Sequence, residues 1–208
     1  MTHNLHRYGT KENLKNDFTV LLQPAKEVNT EGAITKRKRF FEIAFKYKIN
    51  NAGGTDIGCL SDNSKEKLIN KVAKDDRACT ICLTDPEDLK NLLIDLKNEN
   101  LGLSVVVQGL EEDAQKYIEE AGLKIHTTNH SLGIMGNTKK LPNKEILEIT
   151  TMCGHGLISK KLIEKCIKEV SLGKITPDEA SNILAKPCRC GIFNKERASK
   201  LISKFIKS

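Results

Sequence analysis

Two short clusters constrain this chain more than any other stretch: Cys153-Gly154-His155-Gly156 and Cys188-Arg189-Cys190-Gly191. Together they read C-x-H-x32-C-x-C. Each pair of donor side chains is followed by glycine, which lets backbone bend closely around a bulky centre. If the four donors serve one centre, the chain between them must fold back on itself. That intervening stretch reads as two helices. Ser159 to Leu172 carries Leu162, Ile163, Cys166, Ile167 and Val170 on one stripe and stops at Gly173. Thr176-Pro177-Asp178-Glu179 then combines a capping box with proline in the first turn, and this helix ends before Pro187. An antiparallel hairpin of the two brings its open ends together, so the Cys/His pairs are expected within coordination range of each other. Cys166, on the apolar stripe, is expected in the core.

Two kinds of centre suit these donors. A [4Fe–4S] cluster takes thiolates from Cys153, Cys188 and Cys190, leaving one iron for His155, Cys59 or a small anionic substrate. This is the first expectation, with His155 as the candidate catalytic residue and Lys186, Arg189 and Asn194 as its polar and cationic neighbours. The alternative is zinc, closed tetrahedrally by Cys153, His155, Cys188 and Cys190, although zinc knuckles usually space their ligands by two to four residues. Without a metal the glycine-flanked cysteines would serve tight packing. Cys153, placed before a helix start, would then be a candidate nucleophile with His155 as its base. Whether Cys59, His126 or His130 joins the site is open at this level. Cys59 reads more readily as a packed loop cysteine.

The first 140 residues read as an α/β domain with a mixed or partly parallel sheet and flanking helices. Residues 141–208 read as a small all-helical domain carrying the Cys/His clusters. His3 and His6 open a polar arm. Asp17 to Leu22 reads as a strand closed by Pro24, and residues 33–48 as a helix in which Lys36-Arg37-Lys38-Arg39 fans around a solvated face. Asn50 to Ser64 reads as a glycine-bearing loop. From Ala78 the pattern turns regular, with strands over 78–83, 103–107 and 123–127 and helices over 86–98 and 111–120. The apolar run Leu103–Val107 suggests a strand buried on both faces, and the β-α-β-α-β order suggests right-handed crossovers. Cys79 and Cys82 lie three apart on a strand and so face opposite sides, which argues against a shared metal. In the C-terminal part Asn143 caps a short helix, and Asn194 caps a last one with Ala198, Leu201, Ile202 and Phe205 inward.

Charge is unevenly spread. Of the formal net charge of +7, the whole excess lies in residues 151–208, with twelve Lys or Arg against five acids. That suits an anionic centre or substrate, or a zinc-stabilised basic module binding nucleic acid or a protein partner. Nucleic acid is the less favoured, because only 4% of residues are aromatic and stacking platforms need exposed rings. No apolar run approaches the roughly 18 residues that span a bilayer, and Met1 to Asn4 lacks the plan of a signal peptide. The expectation is a cytoplasmic protein whose seven cysteines serve as thiols or ligands rather than a disulfide framework.

Overall fold

The computed structural model describes residues 6–207; His3 lies outside them. After a short helix α1 (Lys11–Leu14), the chain builds a five-stranded sheet in the order β3-β2-β4-β1-β5. The strands are β1 (Phe18–Gln23), β2 (Ile49–Gly54), β3 (Gly58–Cys59), β4 (Cys79–Leu83) and β5 (Ser104–Gln108). Each adjacent pair is antiparallel, which corrects the expectation of a partly parallel sheet. The α/β class stands. β4 and β5 are not neighbours, because β1 inserts between them and makes β4–α4–β5 a split β-α-β crossover. β1 and β2 are split in the same way by β4.

One face of the sheet is covered by α2 (Ala33–Ala44), α3 (Lys65–Asn70), α4 (Pro86–Glu99) and α5 (Glu111–Glu120). Phe18, Val20 and Leu22 of β1 alternate onto this side with Cys79, Ile81 and Leu83 of β4, against Phe40, Phe41, Leu89 and Leu92. Asp85 caps α4 through its side chain with Pro86 behind it, as the sequence suggests. Arg37 does not lie on the solvated face. It is fully buried, donating through Nη2 to both Asp56 carboxylate oxygens at 2.9 and 3.1 Å and through Nε to Cys79 Sγ at 3.3 Å.

Three further expectations fail for local reasons. Residues 50–64 contain β2 and β3: Asn-Asn-Ala-Gly-Gly has poor strand propensity, yet these small residues are what the crowded backbone there admits. A Cβ on Gly53 would come 3.0 Å from the Arg189 carbonyl oxygen. Val105 to Val107 belong to an edge strand, and Val105 is 39% exposed. Leu123–Thr127 is irregular chain, running on to a 3-10 turn at Thr138–Lys140.

The remaining helices, α6 (Lys144–Thr150), α7 (Lys160–Ser171), α8 (Pro177–Ala185) and α9 (Lys195–Lys207), surround a second apolar core. It includes Ile163, Leu184, Phe193 and Ile202, with Cys166 buried in it as expected. This layer meets the sheet face opposite α2 and α4, where Thr19, Asn51, Thr80 and Cys82 are buried. Among the described residues no helix is long and apolar enough to cross a membrane.

Candidate metal centre

The helical hairpin does what the sequence spacing requires. Cys153 lies in a turn just past α6, closed by its N–H to Thr150 O at 3.2 Å and by Gly156 N–H to Cys153 O at 3.0 Å. Cys188 and Cys190 lie in the turn after α8, closed by Gly191 N–H to Cys188 O at 3.0 Å. α7 and α8 pack against each other and deliver the two turns to one place. Cys188 Sγ and Cys190 Sγ are 3.9 Å apart and Cys190 Sγ is 3.7 Å from His155 Nδ1, and Cys153 lies near enough to Cys188 for the two thiols to shift each other's proton affinity. All three cysteines are buried, whereas His155 is exposed at the rim.

The second turn is clamped to the sheet by polar side chains that the sequence reading did not single out. Thr80 donates its hydroxyl to Cys190 O, Asn51 Nδ2 donates to Phe193 O at 3.2 Å, and Arg7 Nη2 donates to Ile192 O. Gly191 takes φ +75°, and a Cβ there would overlap the Ala52 carbonyl carbon. The sequence sign of this clamp is Thr80, a polar residue in an otherwise apolar strand; Asn51, in a stretch that reads as a loop, gives none.

Charge beneath the turn is organised around Asp17. Arg7 Nη1 pairs with one carboxylate oxygen, Arg197 Nη1 with the other at 3.1 Å, and Asn194 Nδ2 donates at 2.8 Å. Burial would raise the Asp17 pKa, but Arg7 and Arg197 together hold it below the usual carboxylate range. Arg7 also lies against the Cys82 thiol and within the field of Cys188. Burial pushes Cys82 up to about 12 and, on the other face, Cys79 likewise. Lys195, half-buried near Cys59 and Cys82, is lowered by desolvation.

Within the thiol chain the proton affinities are graded. Cys153 is pushed up by its hydrogen bond to Cys188 and by burial, whereas Cys190 is pulled down by its hydrogen bond with Cys188. This corrects one expectation: Cys153 follows α6 rather than opening a helix, α7 beginning only at Lys160, so no helix N-terminus activates its thiol. The thiol most readily ionised is Cys190.

The other residues of interest fall as follows. Cys59 is buried on the same side of the sheet, its Sγ 4.0 Å from Ala185 O. Asn194 is occupied by Asp17 and by the Arg197 N–H at 3.0 Å, as a helix cap rather than a substrate-orienting group. His126 and His130 are exposed and turned to Thr127 and Glu111. Arg189 and Lys186 project into a cleft beside the turn.

Three thiols and an imidazole thus adjoin in the order Cys153, Cys188, Cys190, His155. A tetrahedron with Zn–S near 2.3 Å and Zn–N near 2.0–2.1 Å has S–S and S–N edges of about 3.8 and 3.6 Å. The spacings of 3.9 and 3.7 Å fit those edges. As the side chains stand they form a string of hydrogen-bonded thiols, and among the described residues no group of three or more His, Cys, Asp or Glu is set to hold a metal ion. No protein-family model, curated protein or solved structure matches the chain.

Proposed function

We propose that the protein binds one thiophilic metal centre through Cys153, Cys188 and Cys190, with His155 closing the solvent side. The observation that carries this reading is the pair of spacings, 3.9 Å between two buried sulfurs and 3.7 Å from sulfur to imidazole nitrogen. They are close to two of the six edges of a single-ion tetrahedron, which supports zinc or an ion of similar preference as the favoured occupant. The protein's own part is to hold the donors. Thr80, Asn51 and Arg7 fix the Cys188–Cys190 turn from below, and the α7–α8 hairpin brings Cys153 and His155 over it. A bound ion would supply Lewis acidity at the exposed corner where His155 is the most readily displaced donor.

A [4Fe–4S] cluster on the three cysteines is the second reading. It is supported by the contrast between three buried thiols and one exposed imidazole, and by Arg7 and Lys195, whose cations suit a thiolate-rich anion. Against it, thiolates on separate corners of a cubane stand apart by an iron–iron edge as well as two Fe–S bonds, more than these thiols do. Nucleic-acid binding has less support. Lys160, Lys165 and Lys200 are each paired with an acid one turn away, so part of the basic excess is already neutralised on the helix surface.

Metal analysis with an absorption spectrum, on protein purified without oxygen, tests the proposal. One equivalent of zinc in a colourless protein is the expected result. A brown protein with iron and sulfide selects the cluster, and a metal-free protein that takes up neither overturns both.

A further inference from the structure

Beside the ligand turn lies a cleft of about 220 Å³ between α3, the β2–β3 hairpin and the end of α8. Its charged lining is Lys67, Lys71, Lys186 and Arg189 against a single acid, Asp62. The cations come from both halves of the chain. Lys67 and Lys71 are one helical turn apart at α3, and Lys186 and Arg189 flank Cys188. Lys71 is engaged with Asn63 Oδ1 at 2.7 Å. The side chains of Lys67, Lys186 and Arg189 have no ion-pair or hydrogen-bond partner among the described residues. Other exposed lysines, including Lys161 and Lys174, are also without an acid partner among the described residues, but they do not line this concavity, where Lys67, Lys186 and Arg189 stand together. Like charges gathered around a concavity repel one another unless a counter-charge occupies it.

We propose that this cleft binds a compact, multiply charged anion of the phosphate class, held by Lys67, Lys186 and Arg189. Three uncompensated cations exceed what a monocarboxylate can neutralise. The guanidinium fork of Arg189 and the point charges of the two lysines suit the several oxygens of a phosphoryl group. Asp62, also in the lining, can accept a hydrogen bond from a hydroxyl or a P–OH. Cys59 forms part of the wall, its sulfur against the end of α8, and Arg189 lies between Cys188 and Cys190. An anion here therefore grips the residue between two thiol donors; that connection rests on the metal reading, whereas the binding itself does not.

The test is calorimetric titration of the full chain with inorganic phosphate, with citrate and acetate in parallel and at two salt concentrations. Saturable one-site binding of phosphate, weakened by salt and tighter than acetate, is expected. Lys186→Ala and Arg189→Ala should each weaken it by about tenfold or more, with circular dichroism unchanged. Lys161→Ala and Lys174→Ala, which remove exposed lysines outside the cleft, should leave it as it is. Phosphate binding no tighter than acetate, or indifferent to Lys186 and Arg189, overturns the site, and tighter binding of citrate overturns the phosphate class. Metal content measured on the same samples keeps the two readings apart, because metal-free protein that binds phosphate sinks only the metal centre.

Discussion

Thr80, in the central strand of the sheet, donates its hydroxyl to the main-chain carbonyl of Cys190. A side chain of the α/β half thus holds the backbone of a candidate ligand in the helical half, 110 residues on. The carbonyl is buried, so removing its donor leaves it unsatisfied in a place water does not reach. Thr80→Val keeps the shape and β-branching and deletes only the hydroxyl. We expect a loss of about 1–3 kcal/mol in urea unfolding. Metal content should fall below that of the parent protein at equal metal supply. An unchanged transition midpoint together with full metal content would show that the turn is held without this bond.

Gly191 offers a sharper probe through comparison with Gly173. Both have positive φ, +75° and +68°, so alanine at either pays for a left-handed backbone. Around Gly173 a Cβ meets nothing within 4 Å, whereas at Gly191 it would overlap Ala52. Gly173→Ala should cost about 1 kcal/mol. Gly191→Ala should cost several-fold more, about 3 kcal/mol or above, since the ligand turn must lift off strand β2. Equal melting temperatures for the two variants would mean that the turn is not seated on the sheet.

The buried Asp17 network makes a pH prediction whose sign follows from its charges. The folded state holds the Asp17 pKa below its unfolded value near 3.9. Its contribution is therefore complete above about pH 4 and is lost as pH falls through the lower folded value. Thermal unfolding between about pH 6 and 2 should show wild type losing stability more steeply below pH 4 than Asp17→Asn. At neutral pH the variant should already be less stable by about 3–5 kcal/mol, because Arg7 and Arg197 keep their charges without a full counter-ion. A variant as stable as wild type at pH 7 would contradict the network.

Much of this architecture was written into local pattern, and what was not depended on contacts between distant segments. The Thr176 capping box, the Asp85-Pro86 helix start and the Cys166 stripe follow from neighbouring residues, and all three appear where the periodicity puts them. The convergence of Cys153 and His155 on Cys188 and Cys190 was legible because a hairpin of two helices leaves the chain little choice. Strand order was not: nothing near β4 or β5 reveals that β1 lies between them. Arg37 looked like one of four solvated cations, and its burial is tolerable because Asp56, in the β2–β3 turn, supplies the counter-charge while Cys79 Sγ and the Lys74 carbonyl accept its other donors. The glycines and asparagines of β2 resemble a loop until the backbone of residues 189–191 is laid across them.

His155 and Cys188 separate the roles of the two kinds of donor. His155 is exposed, and its imidazole approaches Cys190 Sγ at 3.7 Å. Cys188 is fully buried between Cys153 and Cys190 and within the second core. His155→Ala should therefore keep circular dichroism and melting temperature close to wild type while weakening metal retention against a competing chelator by about tenfold or more. Cys188→Ser should both lose the metal and lower the melting temperature, since it removes a central donor and leaves a hydroxyl among apolar neighbours. The diagnostic quantity is the difference between the two in chelator resistance relative to folding. If His155→Ala holds metal as firmly as wild type, the imidazole is not a donor and the three cysteines must complete their coordination elsewhere, with the nearby buried Cys59 and Cys82 as the next residues to substitute.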